Sequence, residues 1–229
     1  YRTYGTAANA LLNNKGGILP VRNFTQGSHD DAKLVSGESF KSEYNTKFDT
    51  CRPCSILCGH KGTGKKGAVK IPEYETIGLF GPNLQIFDKE AIIEWNDLCS
   101  DLGMDTISTA GAIAWAMEAT ENKCIKTNLA FGKTAGVSTM IKNIAFKKGV
   151  GKDLAKGVKK CSEKYGGKEY AMHVKGLEFP GYDPRGSLGQ GLSYAVANRG
   201  ACHLAGSMFA IEVFFNLMNP LTVSGKPYI

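Results

Sequence analysis

The chain of 229 residues is 42% hydrophobic and 21% charged, which is the composition of a folded globular protein with a sizeable core. No run approaches the roughly 18 uncharged apolar residues of a membrane span, and the N-terminal residues lack a signal-peptide layout, so we expect a soluble, cytoplasmic protein with no membrane span. The net charge of +7 comes largely from lysine clusters without the interleaved aromatic residues of a base-stacking surface. We therefore expect no nucleic-acid partner, whereas a basic docking face for an acidic redox partner stays open.

The N-terminal part of the chain predicts short helices and turns. The stretch GTAANALLNNKGG predicts one short helix that ends at Gly16 and Gly17, followed by an extended stretch through Pro20. Residues 31–48 suggest two short helices that lead into the cysteine-rich stretch FDTCRPCSILCGH.

The pattern from Asp88 onward is strongly helical. Apolar residues at three- and four-residue steps predict a helix with Asp88 as its N-cap and Gly103 at its end. A second helix follows with Asp105 as its N-cap, and two more helices fit 134–147 and 153–165. The fold class is therefore mainly α.

The C-terminal part is less regular. Residues 173–191 are rich in glycine and proline and predict a long, structured loop. The last apolar stretch, 206–218, fits either a helix or buried core.

Three cysteines, Cys51, Cys54 and Cys58, stand at C-x2-C-x3-C spacing. Clustered thiolates suit an iron–sulfur cluster or zinc, and either group needs a fourth ligand unless one position is left open for chemistry. His60 lies two residues after Cys58 and could complete a Cys3His zinc site, so both alternatives stay open, with the cluster modestly favoured. The remaining cysteines are widely spaced and are predicted to pack in the core: Cys99, Cys124, Cys161 and Cys202.

Candidate acid–base residues occur in two stretches. Glu73 and Glu75 in IPEYETIG would point the same way from an extended segment, and a solvated edge is their ordinary interpretation. His203 lies among small and apolar residues in NRGACHLAG, where a hydrogen-bonded structural histidine is more usual than a catalyst.

A turn at Gly103 joins two predicted helices, and Asp105 and Thr106 open the second. Backbone N–H groups at a helix start bind anions and polar heterocycles, although any helix–turn–helix junction has this form.

Several motifs occur together and in one order: GTAANALLNNKGGILPVRNF, CRPCSILCG, PEYETIG, LGMDTISTAG, HVKGLEFPGYDPRG and LSYAVANRGACH. In this set and order the chain resembles the tungsten-dependent aldehyde:ferredoxin oxidoreductase family over nearly its whole length. The resemblance implies helical domain 2 with the cysteine loop at residues 1–172 and the start of helical domain 3 at 173–229. The family's N-terminal β domain is absent from this chain, so we expect a segment of a longer protein whose N- and C-terminal parts are missing.

The resemblance also implies the cofactors. Cys51, Cys54 and Cys58 correspond to the family's trio that binds a [4Fe–4S] cluster, and the fourth ligand would come from a D-x-x-G-L-C motif beyond residue 229. Tungsten would be held by the dithiolenes of two pterins, a tungsten bis-pterin. Magnesium would bridge the pterin phosphates through residues outside this chain.

The family's middle pterin motif, D-x-x-G-L-D, is SDLGMD here. Ser100 replaces the first aspartate and Met104 replaces leucine, while Gly103 and Asp105 are retained. The resemblance implies pterin contacts from Ser100, Gly103, Asp105 and Thr106, although Ser100 brings a hydroxyl without the charge.

The activity implied is oxidation of aldehydes to carboxylic acids, with electrons passing through the cluster to ferredoxin or a similar acceptor. The family's active-site glutamate corresponds to Glu75 and its histidine to His203. We expect an aldehyde substrate, a possible homo-oligomer, and no activity from these residues alone, because one wall of the site and one cluster ligand lie outside them. Alternatives are a tungsten subunit of the benzoyl-CoA reductase type, or a non-catalytic zinc-binding or electron-relay module.

Overall fold

The structure, a computed structural model, describes residues 1–65 and 67–212. Its α-helices are α1 (Asn9–Lys15), α2 (Gly37–Tyr44), α3 (Tyr74–Phe80), α4 (Lys89–Asp101), α5 (Thr106–Glu121), α6 (Val137–Ala145), α7 (Gly151–Leu154), α8 (Val158–Tyr165), α9 (Leu188–Val196) and α10 (His203–Gly206). Its strands are β1 (Lys47–Phe48), β2 (His60–Gly64), β3 (Gly67–Ile71), β4 (His173–Val174) and β5 (Leu177–Glu178). The prediction of a mainly α fold is confirmed.

Helix α5 is the centre of the main core. Its small side chains let neighbouring backbones approach closely, and it packs against α3, α6 and α8. Trp115 of α5 and Trp95 of α4 are both buried in the cluster that these helices share. The helices that carry the candidate site are therefore fixed to a close-packed interior.

Two predicted helix starts are confirmed by their caps. The Asp88 carboxylate accepts hydrogen bonds from the backbone N–H groups of Glu90 and Ala91, at 2.9 and 3.2 Å. The Asp105 carboxylate accepts one from Ser108 at 2.7 Å. Both aspartates satisfy N–H groups that a first helical turn leaves unpaired.

The single helix predicted at 153–165 is wrong, because α7 and α8 occupy this region separately. Gly157 lies between them at φ +87°, a conformation that no helix continues through. The buried Glu178 side chain accepts a 2.8 Å hydrogen bond from the N–H of Val158, the first residue of α8. A carboxylate from a distant segment thus caps the second helix.

The predicted loop at 173–191 is only partly a loop. It contains the antiparallel pair β4–β5, in which His173 lies opposite Glu178, and it runs into α9. The other sheet is antiparallel in the order β1–β2–β3, and its strand pairing was not predicted. The cysteine loop connects β1 to β2, so the sheet forms the base of that loop.

No helix in residues 1–65 and 67–212 is long and apolar enough to cross a membrane. Residues 213–218 of the predicted apolar stretch 206–218 lie outside the described residues. The domain boundary at 172/173 stays a prediction, and a small second core joins Leu19, Tyr74 and Tyr182 from both sides of it.

Candidate active site

Glu73 and Glu75 do not point the same way, because the chain turns into α3 between them. Glu73 is the N-cap residue, and its carboxylate accepts a hydrogen bond from the Thr6 hydroxyl. That hydroxyl oxygen accepts a 2.9 Å hydrogen bond from the N–H of Tyr74. Glu73 therefore helps to anchor the start of α3, while Glu75, in the first helical turn, faces other partners.

Glu75 lies between a glycine and a histidine that come from the C-terminal part of the chain. Its Oε2 accepts a 2.6 Å hydrogen bond from the backbone N–H of Gly181. Its Oε1 lies 3.5 Å from Nε2 of His203. Oε1 is buried and accepts no hydrogen bond from any described residue. The two residues expected to act together are thus brought together, with one carboxyl oxygen left free.

Both members of this pair favour their neutral forms. Burial raises the pKa of the Glu75 carboxyl to about 8, the Asp105 charge adds to the rise, and the hydrogen bond from Gly181 opposes it. Burial also lowers the pKa of His203 below its usual value, and the Arg199 charge lowers it further. The contact is therefore a carboxyl–imidazole pair rather than a strong ion pair.

Aromatic side chains enclose the pair. The fully buried Tyr74 donates a hydrogen bond from its hydroxyl to the carbonyl oxygen of Gly181. The Tyr182 ring centroid lies 5.8 Å from that of His203 and 3.7 Å from that of Phe209. Only 15% of the Glu75 side chain and 18% of the His203 side chain remain exposed, so bulk water is largely excluded.

The start of α5 contacts the helix that carries Glu75. The Thr76 hydroxyl donates a 2.9 Å hydrogen bond to the Thr106 hydroxyl oxygen. Asp105 precedes Thr106 and is exposed, with its carboxylate held at the N-terminus of α5. Two of the predicted pterin-contact residues therefore adjoin the Glu75 helix.

The other two predicted contact residues lie at the preceding turn. Gly103 is exposed at φ +66°, the left-handed conformation that a tight turn between two helices requires. The exposed Ser100 donates its hydroxyl hydrogen to the carbonyl of Asn96 at 2.9 Å, within its own helix. With its hydrogen used in this way, the Ser100 hydroxyl could still accept a hydrogen bond from a pterin N–H, and its role stays a prediction.

The cysteine loop carries three free thiols. Cys51 is exposed, and Cys54 and Cys58 are half-buried. Hydrogen bonding to the backbone of Ile56 lowers the pKa of Cys54, which favours the thiolate form. Within residues 1–65 and 67–212 no three His, Cys, Asp or Glu side chains converge closely enough to hold a metal ion.

His60 has a structural role beside this loop. It is buried, and its Nε2 lies 3.1 Å from the carbonyl oxygen of Arg2. A side chain on Gly5 would approach Nδ1 of His60 to 2.7 Å and the carbonyl oxygen of Cys58 to 2.5 Å, so Gly5 allows the N-terminal segment to pack there. The structure does not group His60 with the three cysteines. Of the four cysteines outside the loop, Cys99, Cys161 and Cys202 are buried as predicted, and Cys124 is half-buried.

Gly181, Tyr74 and Tyr182 are the residues at this site that sequence reasoning did not single out. All three lie inside the quoted motifs PEYETIG and HVKGLEFPGYDPRG. The contribution of Gly181 comes from its backbone, which no side-chain pattern reveals.

A mainly helical fold thus carries both a cysteine-rich loop and a buried carboxyl–imidazole pair. The profile of the family "Aldehyde ferredoxin oxidoreductase, domains 2 & 3" matches residues 1–229. The chain belongs to this family.

Named relatives agree with this assignment. The chain is 40% identical over 218 residues to the tungsten-containing aldehyde ferredoxin oxidoreductase of Pyrococcus furiosus, and 39% identical over 218 residues to that of Thermococcus kodakarensis. It is also 27% identical over 222 residues to the "Aliphatic sulfonate oxidoreductase, WOR-like subunit" of Pyrococcus furiosus. The matches to the two tungsten-containing enzymes cover 92% of this chain, which spans 36% of their length.

A solved structure shares the fold. It is the active site complex BamBC of benzoyl coenzyme A reductase in complex with 1,5-dienoyl-CoA. The TM-score is 0.63 at 14% identity, with 86% of this chain and 31% of that chain covered. At this identity the likeness concerns the fold alone.

Proposed function

We propose that this chain is the catalytic and cluster-binding part of a tungsten-pterin oxidoreductase that oxidises aldehydes to carboxylic acids. The observation that carries the proposal is the buried Oε1 of Glu75, which lies beside Nε2 of His203 and accepts no hydrogen bond within the described part of the chain. The membership of the family and the tungsten-containing relatives support the same activity. We place the enzyme in the cytoplasm, possibly as a homo-oligomer, with its remaining domains supplied by the rest of the protein.

The types of side chain present fit the cofactors that the family implies, while the three cysteines do not converge on one point in residues 1–65 and 67–212. A buried carboxyl oxygen without a donor is costly unless a ligand completes its surroundings, and Glu75 Oε1 has no donor among the described residues. The thiols of Cys51, Cys54 and Cys58 are free, and cysteine thiolates are the ligands that hold iron–sulfur clusters. When bound, the tungsten bis-pterin would supply two-electron oxidation and the [4Fe–4S] cluster single-electron transfer, with magnesium on the pterin phosphates.

The protein residues handle orientation and protons. His203, neutral and protonated at Nε2, donates a hydrogen bond to the aldehyde oxygen and draws electron density from the carbonyl carbon. Glu75, once ionised, accepts at Oε1 a proton from the water that adds to this carbon. One aldehyde and one water give one carboxylic acid, two protons and two electrons. These electrons would pass singly to ferredoxin or a similar acceptor through a cluster held by Cys51, Cys54 and Cys58.

Metal analysis and a dye-linked assay of the full-length enzyme, purified without oxygen, test the proposal. We expect iron together with tungsten or molybdenum, and reduction of benzyl viologen when aldehydes are supplied. Aliphatic sulfonates and benzoyl-CoA are the comparison substrates, because relatives of this fold bear those names. A protein that contains only zinc and does not reduce the dye would contradict the proposal and would favour a non-catalytic zinc-binding module. The chain's residues alone should remain inactive.

A further inference from the structure

The three-stranded sheet at the base of the cysteine loop carries a row of lysines. Lys47 of β1 lies opposite Lys61 of β2, which lies opposite Lys70 of β3. Residues directly opposite in an antiparallel sheet share one face, and all three lysines are exposed. We call Lys47, Lys61 and Lys70 the lysine row.

This arrangement has an electrostatic cost. Like charges directly opposite on a sheet destabilise it. Asp49 offsets part of the repulsion, because its Oδ1 lies 3.2 Å from Nζ of Lys61. Within residues 1–65 and 67–212 no carboxylate pairs with Lys47 or Lys70. Two cations of the row are therefore available to an external anion.

Protection of a sheet edge accounts for Lys47 and Lys70, which lie on the edge strands β1 and β3, but not for Lys61. Lysines commonly stand on edge strands, where they prevent pairing with another chain. Here β2 is the central strand of the sheet and carries Lys61. The lysine row therefore crosses the whole sheet, whereas protection of the edges would need lysines on the edge strands alone.

The row lies beside the neck of the cysteine loop. The N–H of Asp49 donates a 2.9 Å hydrogen bond to the carbonyl of Gly59 and closes the loop that holds the three cysteines. Inside the loop, Arg52 is exposed and the Ile56 side chain is 62% exposed. Positive charge beside an exposed apolar residue is a combination that transient protein complexes use.

We propose that the lysine row and Arg52 dock a small acidic redox protein against the cysteine loop. This inference rests on the proposed function, because the docked protein is the electron acceptor. At each encounter the carrier gains one electron and the enzyme loses one, while the protons of aldehyde oxidation go to solvent. The lysines raise the rate of encounter by attraction, and this effect weakens with salt because the Debye length is only about 10 Å at 0.1 M.

The test uses the full-length holoenzyme and a small acidic [4Fe–4S] ferredoxin as the probe. Lys47→Glu/Lys70→Glu should raise both the dissociation constant and the KM for ferredoxin about tenfold or more at low salt, and should reduce their salt dependence. Viologen-linked turnover and metal content should stay unchanged. The matched control is Lys142→Glu/Lys152→Glu, which makes the same charge change at exposed lysines on α6 and α7 and should have little effect.

Two outcomes would overturn the docking surface. Equal weakening in both double variants would mean that only net charge matters. Loss of folding or metal in both Lys47→Glu/Lys70→Glu and the milder Lys47→Gln/Lys70→Gln would mean that the rest of the enzyme covers this face. Absence of aldehyde-dependent viologen reduction would refute the proposed function instead, while ferredoxin binding to the purified protein would still report on docking.

Discussion

The backbone N–H of Gly181 holds Oε2 of Glu75 at 2.6 Å, and this contact leaves Oε1 as the oxygen that faces His203. The same glycine accepts the hydroxyl hydrogen of Tyr74 at its carbonyl. One peptide segment therefore orients the carboxyl group and fixes the helix that bears it. Positioning of this kind decides whether a general base can reach its proton.

Gly181→Ala should lower turnover without loss of metal. The added Cβ would lie 3.1 Å from Oε2 of Glu75 and 3.2 Å from Cε1 of Tyr74, so the carboxyl group must shift. We expect a loss in kcat of about ten- to a hundredfold, since small misplacements at a reacting centre have effects of this size. Steady-state kinetics of the full-length enzyme measure it. Gly16→Ala, whose Cβ would meet only ordinary contacts, is the control and should behave as wild type.

Glu75→Gln should remove the general base. The amide preserves the shape of the side chain but cannot accept the proton, so turnover should fall by about a hundredfold to ten-thousandfold. Tungsten and iron contents should match those of wild type.

Glu73→Gln is the control for this substitution. Its amide oxygen can still accept the hydrogen bond from Thr6, so the effect should be mild. If Glu73 were essential and Glu75 dispensable, the general base would have to be assigned to Glu73 instead.

His203→Asn should also slow aldehyde oxidation, because the imidazole that polarises the carbonyl is lost. The double variant with Glu75→Gln should lose less than the product of the two single losses, since both groups act on one transition state. A double-mutant cycle on kcat/KM measures this coupling. Strictly multiplicative losses would show that the two residues act independently, despite the 3.5 Å between them.

The pH–rate profile should report the ionisation of Glu75. Its pKa is raised from 4.5 to about 8, and only the ionised carboxylate accepts a proton. Thus kcat/KM should rise with pH and level off above about pH 8. The pKa of His203 is lowered from 6.5, so the imidazole is already neutral on this limb. Glu75→Gln should flatten this rise of kcat/KM with pH. If the rise were unchanged in that variant, the ionisation would belong to another group.

Cys54→Ala should abolish the broad charge-transfer absorption of the iron–sulfur cluster and the paramagnetic signal of its reduced state. Cys161→Ala is the control, because burial raises the pKa of the Cys161 thiol to about 12 and keeps it protonated in the core. Iron analysis and absorption spectra of the anaerobic enzyme distinguish the two variants. A colourless, zinc-containing wild-type protein would contradict the cluster assignment.

Local signals account for the parts of the fold that were predicted. Helices α4 and α5 were predicted from Asp88 and Asp105. An N-cap side chain binds backbone N–H groups within the next three residues, so a short stretch of sequence is enough to identify it. The break at Gly157 was missed, because its cap is the distant side chain of Glu178. The start of α3 was missed for the same reason, since Thr6 accepts the hydrogen bond from Tyr74.

The site shows the same division. Spacing alone gave no reason to join Glu75 to His203, and only the family resemblance suggested it. The contact depends on the tertiary packing of α3 against the segment around Gly181. For the cysteines, their short spacing was enough to identify the loop. The pairing of β1 with β2 at the base of the loop was not predicted, because it depends on backbone hydrogen bonds and the lysine-rich sequence has no clear strand pattern.

The negative charge of Asp105, fixed at the start of α5, adds to the rise in the pKa of Glu75 and opposes the lowering of the pKa of His203. Whatever neutralises Asp105, whether a cation or a hydrogen-bond donor of a cofactor, therefore releases the proton of Glu75 more readily. Because such coupling is reciprocal, loss of that proton strengthens binding at Asp105 by the same factor. A cofactor that bound at Asp105 would therefore have an affinity coupled to the protonation state of Glu75 through a single helix terminus.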